Sequence, residues 1–136
     1  MTRPMTVWTR VNEAATREAV IVPPHMALRE VSAVMASHDI GAVIVGGAKR
    51  ALGIVSERDV VTAIAAGADA DQTTAAGAMS PDVVSVRPGD TLYDAAVDML
   101  DLGIRHVAVV DEHDAVLGMV SVRDLLRPLL SASLDR

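Results

Sequence analysis

Two stretches hold the residue types and spacing from which chemistry is most readily built. They are Gly53-Ile54-Val55-Ser56-Glu57-Arg58-Asp59 and Gly118-Met119-Val120-Ser121-Val122-Arg123-Asp124. Each reads glycine, two apolar residues, serine, any residue, arginine, aspartate. Glycine ahead of two apolar residues suits a turn entering a strand. Serine is a favoured N-cap, and the aspartate three places on falls in the first helical turn, where negative charge is favourable. Each stretch therefore predicts a short strand running into a helix N-terminus, whose unpaired N–H groups and partial positive charge attract phosphate. Arg58 and Arg123 sit in that first turn against the helix dipole, which favours an anionic partner more than at an average surface arginine, with a solvated role as the even alternative. The same spacing also makes a capping box, in which serine and aspartate serve only the helix end. Nucleophilic catalysis is a poor reading: no nucleophile elbow or Walker loop occurs, and a capping serine is not an activated nucleophile. His25, His38 and His113 lack metal-ligand spacing with one another. Met79, Met99 and Met119 read as core filling.

The elements that must position these residues occur twice. Val20, Val22, Pro24, Leu28, Met35, Ile40, Val43 and Val45 recur 64 residues later as Val84, Val86, Pro88, Leu92, Met99, Ile104, Val107 and Val109. Beyond a variable turn, Gly46 to Arg50 against Val110 to Ala115, the offset is 65, as in Gly53 and Gly118. One inserted residue in a hairpin turn is where chains tolerate length change. Within a copy, Val20 to Val22 and Val83 to Val86 are β-type runs closed by Pro24 and Pro88. Ala27 to His38 and Thr91 to Leu102 have helical apolar spacing. Asp90 and Thr91 are capping candidates for the second of these helices, whereas Met26 and Ala27 start the first weakly. Gly103 suits the C′ position. Ile40 to Val45 and Ile104 to Val110 are buried-strand runs, and short strands ending at Val55 and Val120 lead into the closing helices. The order is β-α-β-β-α, twice, an α/β (α+β) chain. Its divisions are an N-terminal arm (1–10), a first repeat (11–67), a small polar linker (68–74), a second repeat (75–130) and a C-terminal tail (131–136).

Composition narrows the function classes. The chain has 136 residues, enough for a real core, and 51% are hydrophobic, which excludes disorder. It has one Trp, one Tyr and no Phe, so base stacking on aromatic platforms is nearly unavailable. A formal net charge of −6 argues further against a nucleic-acid surface. No cysteine is present, which removes disulfides and thiolate metal sites. No apolar run has the length to span a membrane and residues 1–10 lack the apolar core of a signal peptide, so the expected location is the cytoplasm.

At Ala78-Met79-Ser80-Pro81, Val84 to Leu92, Ile104 to Asp111 and the two glycine-to-aspartate stretches, the chain resembles the cystathionine-β-synthase (CBS) domain family. It is similar to a stand-alone tandem pair of the Bateman-module type, and the resemblance covers about 11–130. It implies two β-α-β-β-α repeats related by a pseudo-two-fold axis, with two clefts that take adenosine-containing ligands: AMP, ADP, ATP or S-adenosylmethionine. It further implies a regulator of another protein rather than an enzyme, with no obligatory cofactor. Carried over, Asp59 and Asp124 would accept hydrogen bonds from ribose hydroxyls, with Ser56 and Ser121 facing ribose or phosphate. Arg105 and His106 match a basic pair that meets phosphates. Ile21, Val22, Ser85 and Val86, with Ile40 and Ile104, would form an aliphatic slot for adenine. The first copy departs from this pattern: Gly41 and Ala42 replace the basic pair, Ala15 an expected methionine, and Ala27 a helix-starting threonine.

Three expectations follow. The helix after Ser56 carries Val60, Val61, Ala63, Ile64, Ala65 and Ala66 and is apolar nearly all round, which predicts a homodimer covering its second side. Pro128 predicts a break in the last helix after Leu126, with Leu129 and Leu130 returning to the core. Arg105, His106, Ser121 and Asp124 make the second copy the phosphate-competent one. The competing reading is a ligand-free interaction module that keeps the fold and docks partners through its helices.

Overall fold

The computed structural model describes residues 5–14, 17–47 and 49–134. The chain divides into two compact units, Ala19–Val83 and Met1–Glu18 together with Val84–Arg136.

In the first unit, β1 (Ile21–Val22) is followed by α1 (Leu28–His38), β2 (Ala42–Gly47), β3 (Arg50–Ser56), α2 (Glu57–Ala65) and the single turn α3 (Ala75–Ala78). The sheet order is β1-β2-β3, with β1 parallel to β2 and β2 antiparallel to β3. A parallel pair needs a crossover, and α1 supplies it. Val43, Ile44 and Val45 are all fully buried. That agrees with a continuous β-branched run covered on both faces rather than an alternating one. Leu28, Val31 and Met35, one stripe of α1, close the core with Val22, Val55 and Ala75. Gly46 and Gly47 belong to β2, not to a turn beyond it; a register shift between Val45 and Gly46 keeps the strand paired.

The second unit repeats the plan with β4 (Ser85–Val86), α4 (Leu92–Leu102), β5 (His106–Val110), β6 (Val116–Ser121) and α5 (Val122–Leu134). Its sheet order is β4-β5-β6, again parallel then antiparallel. Its core holds Val86, Leu92, Ala95, Met99, Val107, Val109 and Val120, together with Val11 from a short 3-10 turn at Val11–Glu13. Val11 and Ala75 are equivalent in the repeat, 64 residues apart, and both are completely buried. The segment that opens each sequence repeat therefore completes the core of the unit formed by the other repeat's sheet.

Helix ends show why both flanking segments matter. α4 begins with a full capping box: the Thr91 hydroxyl accepts from Asp94 N–H at 3.2 Å, and Asp94 accepts from Thr91 N–H at 2.9 Å. Its next donors go to the arm, Leu92 N–H to Thr9 C=O at 3.0 Å and Tyr93 N–H to Val7 C=O at 2.7 Å. α1 has no side-chain cap at Ala27, as its sequence predicts. Linker carbonyls replace it, with Leu28 N–H donating to Thr73 C=O and Arg29 N–H to Ala70 C=O. Arg29 grips the same linker through a two-pronged pair with Asp71, at 2.6 and 3.1 Å. At the other ends Gly103 (φ 66°) and Asp39 (φ 52°) hold the left-handed position.

One expectation fails. α5 runs from Val122 to Leu134 as a single helix with Pro128 inside it. The Pro128 ring is buried and Leu125 packs on the core; that packing offsets the one backbone bond that proline removes. Leu130 is 62% exposed rather than returned to the core. The Leu129 side chain and Ala15 lie outside the described residues.

Candidate functional site

Each glycine-to-aspartate stretch forms a corner where the last strand of a sheet turns into a helix. Gly53 lies inside β3, so its role is not to shape a turn. A Cβ there would sit 2.5 Å from Met79 Sδ and 2.7 Å from the Ser80 carbonyl oxygen. The missing side chain lets the 79–80 segment cross the strand, where Ile54 and Ser80 exchange both backbone hydrogen bonds.

That crossing delivers Ser80 to the corner. Asp59 Oδ2 accepts from the Ser56 N–H at 2.8 Å and the Ser56 hydroxyl at 3.0 Å, and Asp59 N–H donates to Ser56 Oγ at 3.3 Å. Its other oxygen, Oδ1, accepts from the Ser80 hydroxyl at 3.1 Å. The capping-box reading and the ligand reading thus concern the same atoms. The serine–aspartate bonds lock the rotamer, and they aim the carboxylate.

The second corner has the same frame and a different occupant. Asp124 Oδ2 accepts from the Ser121 N–H at 2.8 Å and its hydroxyl at 3.3 Å. Arg17 and Met119 exchange backbone bonds, as Ser80 and Ile54 do in the first unit. The Arg17 guanidinium Nε then stands 3.8 Å from Asp124 Oδ1. Asp124 is 7% exposed and is the buried charged side chain among the described residues.

Strand register brings the expected basic pair to this corner. His106 lies directly across from Ser121, and the Arg105 carbonyl accepts the Val122 N–H at 2.9 Å. In the first unit Ala42 lies across from Ser56, and the Gly41 carbonyl accepts the Glu57 N–H at 3.0 Å. Arg58 and Arg123 are exposed in the first turns of α2 and α5. On the short first strands Val22 and Val86 are core residues, at 2% and 4% exposure, while Ile21 and Ser85 are the more exposed members. Ile40 and Ile104 are partly buried against their cores. Neither Arg17 nor Ser80 is among the residues selected from the motifs. The repeat offset is the signal that finds them, since Arg17 falls 64 residues before Pro81, beside the position equivalent to Ser80. Among the described residues no cluster of His, Asp or Glu is arranged to hold a metal ion. None of their helices is long and apolar enough to cross a membrane.

Two three-stranded sheets, each closed by a strand-to-helix corner with a serine-held carboxylate, define a tandem α+β pair. The family model "CBS domain" matches residues 11–66 and again 75–131, and the chain belongs to that family. A 17.7 kDa protein from the bps2 3′ region of Acidianus ambivalens is 34% identical over 123 residues, covering 90% of this chain and 74% of its own length. The CBS domain protein PAE2072 of Pyrobaculum aerophilum, solved as a complex with AMP, superposes with a TM-score of 0.82 at 30% identity, covering 93% of this chain and 99% of that one. The CBS domain pair of protein MJ0100, solved with 5′-methylthioadenosine and S-adenosyl-L-methionine, shares the fold with a TM-score of 0.81 at 20% identity, covering 89% and 99%.

Proposed function

We propose that this protein is a sensor whose two Ser-x-x-Asp corners bind the ribose of adenosyl ligands and whose occupancy regulates a partner protein. The observation that carries the reading is the Asp124 carboxylate: 7% exposed, held through Oδ2 by Ser121, and with the Arg17 guanidinium 3.8 Å from Oδ1. A carboxylate oxygen accepts readily from the two hydroxyls of a vicinal diol, and hydrogen bonds to a charged acceptor are the stronger kind. The helix N-terminus and the neighbouring Arg105 and His106 then suit a 5′-phosphate. The AMP complex of the 30% identical relative supports an adenosyl ligand. Catalysis is not part of the proposal: each serine hydroxyl is engaged at its helix start, donating to the aspartate three residues on.

Thermal denaturation with AMP, ADP, ATP and S-adenosylmethionine tests the reading. Ligand at 100 times its dissociation constant adds about 2.7 kcal/mol of stability, a rise of several degrees for a chain of this size. No rise with any of the four at millimolar concentration would sink it.

A second reading is a CBS-fold interaction module without ligand. The observation in its favour is apolar surface on the closing helices: Val61 and Ile64 on α2 are 67% and 50% exposed, and Leu126 and Leu130 on α5 are 49% and 62% exposed. The same surface supports the proposal that the protein is a homodimer, which is compatible with either reading.

A further inference from the structure

The two corners share a frame but not a charge. The first gathers Glu57, Arg58 and Asp59 with neutral Ser80, Gly41 and Ala42, two carboxylates against one cation. The second gathers Arg17, Arg105, Arg123 and Asp124 beside His106, three cations against one carboxylate. Val122 stands where the first corner has Glu57. The two backbones agree closely around these positions: each carboxylate is held by the serine three residues before it, and each corner is crossed by an extended segment exchanging two bonds with the strand. The substitution nearest the carboxylate is Ser80 against Arg17. A hydroxyl donates to Asp59 Oδ1 and leaves the net negative charge in place, whereas a guanidinium 3.8 Å from Asp124 Oδ1 neutralises it without occupying its hydrogen-bond sites. A ligand hydroxyl can therefore still reach Asp124, and a phosphate nearby meets no net negative field. At the first corner the same phosphate would meet an excess of carboxylate.

We infer that the corners sort adenosyl ligands by charge and that Arg17 is the specificity-determining residue. The Asp124 corner accepts both phosphorylated and uncharged nucleosides and favours the phosphorylated ones, whereas the Asp59 corner favours uncharged or cationic ones. The inference rests on the reading that these carboxylates bind ribose. It assigns a role to a residue supplied by the segment that opens the first sequence repeat and serves the corner of the second.

The test is calorimetric titration of the full chain with AMP and with 5′-methylthioadenosine, which carries no charge. Asp59→Ala leaves only the Asp124 corner to be read. In that background Arg17→Ser should weaken AMP about tenfold and leave 5′-methylthioadenosine within about twofold, the size expected for one charge-assisted contact. Arg17→Lys, which keeps the cation, should hold AMP within about threefold and guards against a folding defect in the serine variant. Equal weakening of both ligands by Arg17→Ser, equal loss of AMP with lysine and serine, or unchanged AMP affinity would overturn the sorting while leaving nucleotide binding intact. No heat from either ligand with the unsubstituted chain would overturn the ribose reading, and this inference with it.

Discussion

At the scale of single residues, Gly53 shows how a motif position is explained by what crosses it. Alanine there places a methyl group against the Ser80 carbonyl, a backbone atom that cannot rotate away. Gly53→Ala should cost about 1–3 kcal/mol, read as a lower urea midpoint, and should also loosen the Ser80–Asp59 bond. An unchanged midpoint would show that the 79–80 segment yields freely. Asp111 gives a prediction with a pH signature. Backbone N–H donors from Ala115, then His113, hold its carboxylate below the ordinary value of 3.8. Because the folded value is depressed, its stabilisation of the β5–β6 turn is present above 3.8 and is lost as pH falls through the folded value. Asp111→Ala should therefore be less stable than the unsubstituted chain at pH 7, with the gap narrowing steadily in acid. A gap that stays constant down to the acid transition would refute that account.

At the scale of elements, the two copies of one helix expose the value of a cap. α4 has Thr91 and Asp94, and α1 has Ala27 and depends on carbonyls from the linker. Ala27 already has the extended backbone of an N-cap, φ −65° and ψ 145°. Ala27→Thr should stabilise the first unit by about 0.5–1 kcal/mol, and Thr91→Ala should destabilise the second by about 1 kcal/mol. Thermal melts of both variants decide this; a threonine at 27 that lowers the midpoint would mean the linker carbonyls and a cap compete. α5 teaches the opposite lesson about local rules. Proline reads as a breaker, yet the helix continues because burying the ring and Leu125 outweighs one lost hydrogen bond.

At the scale of the molecule, the arm at residues 5–14 and the segment at 70–80 are counterparts. Each caps a helix and places one small apolar residue in a core; Ser80 in the one and Arg17, just beyond the other, cross a corner strand. The chain's single tryptophan belongs to this arm and stacks on its single tyrosine, Tyr93, with ring centroids 4.8 Å apart. Val11→Ala should cost about 1–3 kcal/mol although it lies near the N-terminus, because it is a core residue. Outward-facing Val61 and Ile64 lead to the assembly prediction. The protein should sediment as a dimer at tens of micromolar, and Ile64→Glu should shift it toward monomer while far-UV circular dichroism stays unchanged. A monomer before any substitution would remove the basis for a homodimer.

Repetition, element order and the serine–aspartate corners follow from the sequence alone, because each is a local statement. Apolar spacing sets strand or helix, proline and glycine close them, and serine three residues before aspartate caps a helix wherever it lies. The same holds for the weak start of α1, readable from Ala27, and for the basic pair present in one copy and absent from the other. What the tertiary structure decided depends on groups distant in sequence. That Gly53 is needed for a crossing backbone, that Pro128 is carried inside a helix, and that Val11 belongs to the core of 84–136 are facts of packing between remote segments. The partner of each carboxylate is decided in the same way. Ser80 reaches Asp59 across 21 residues of sequence, and Arg17 reaches Asp124 across more than 100, so no local pattern shows which group meets each carboxylate.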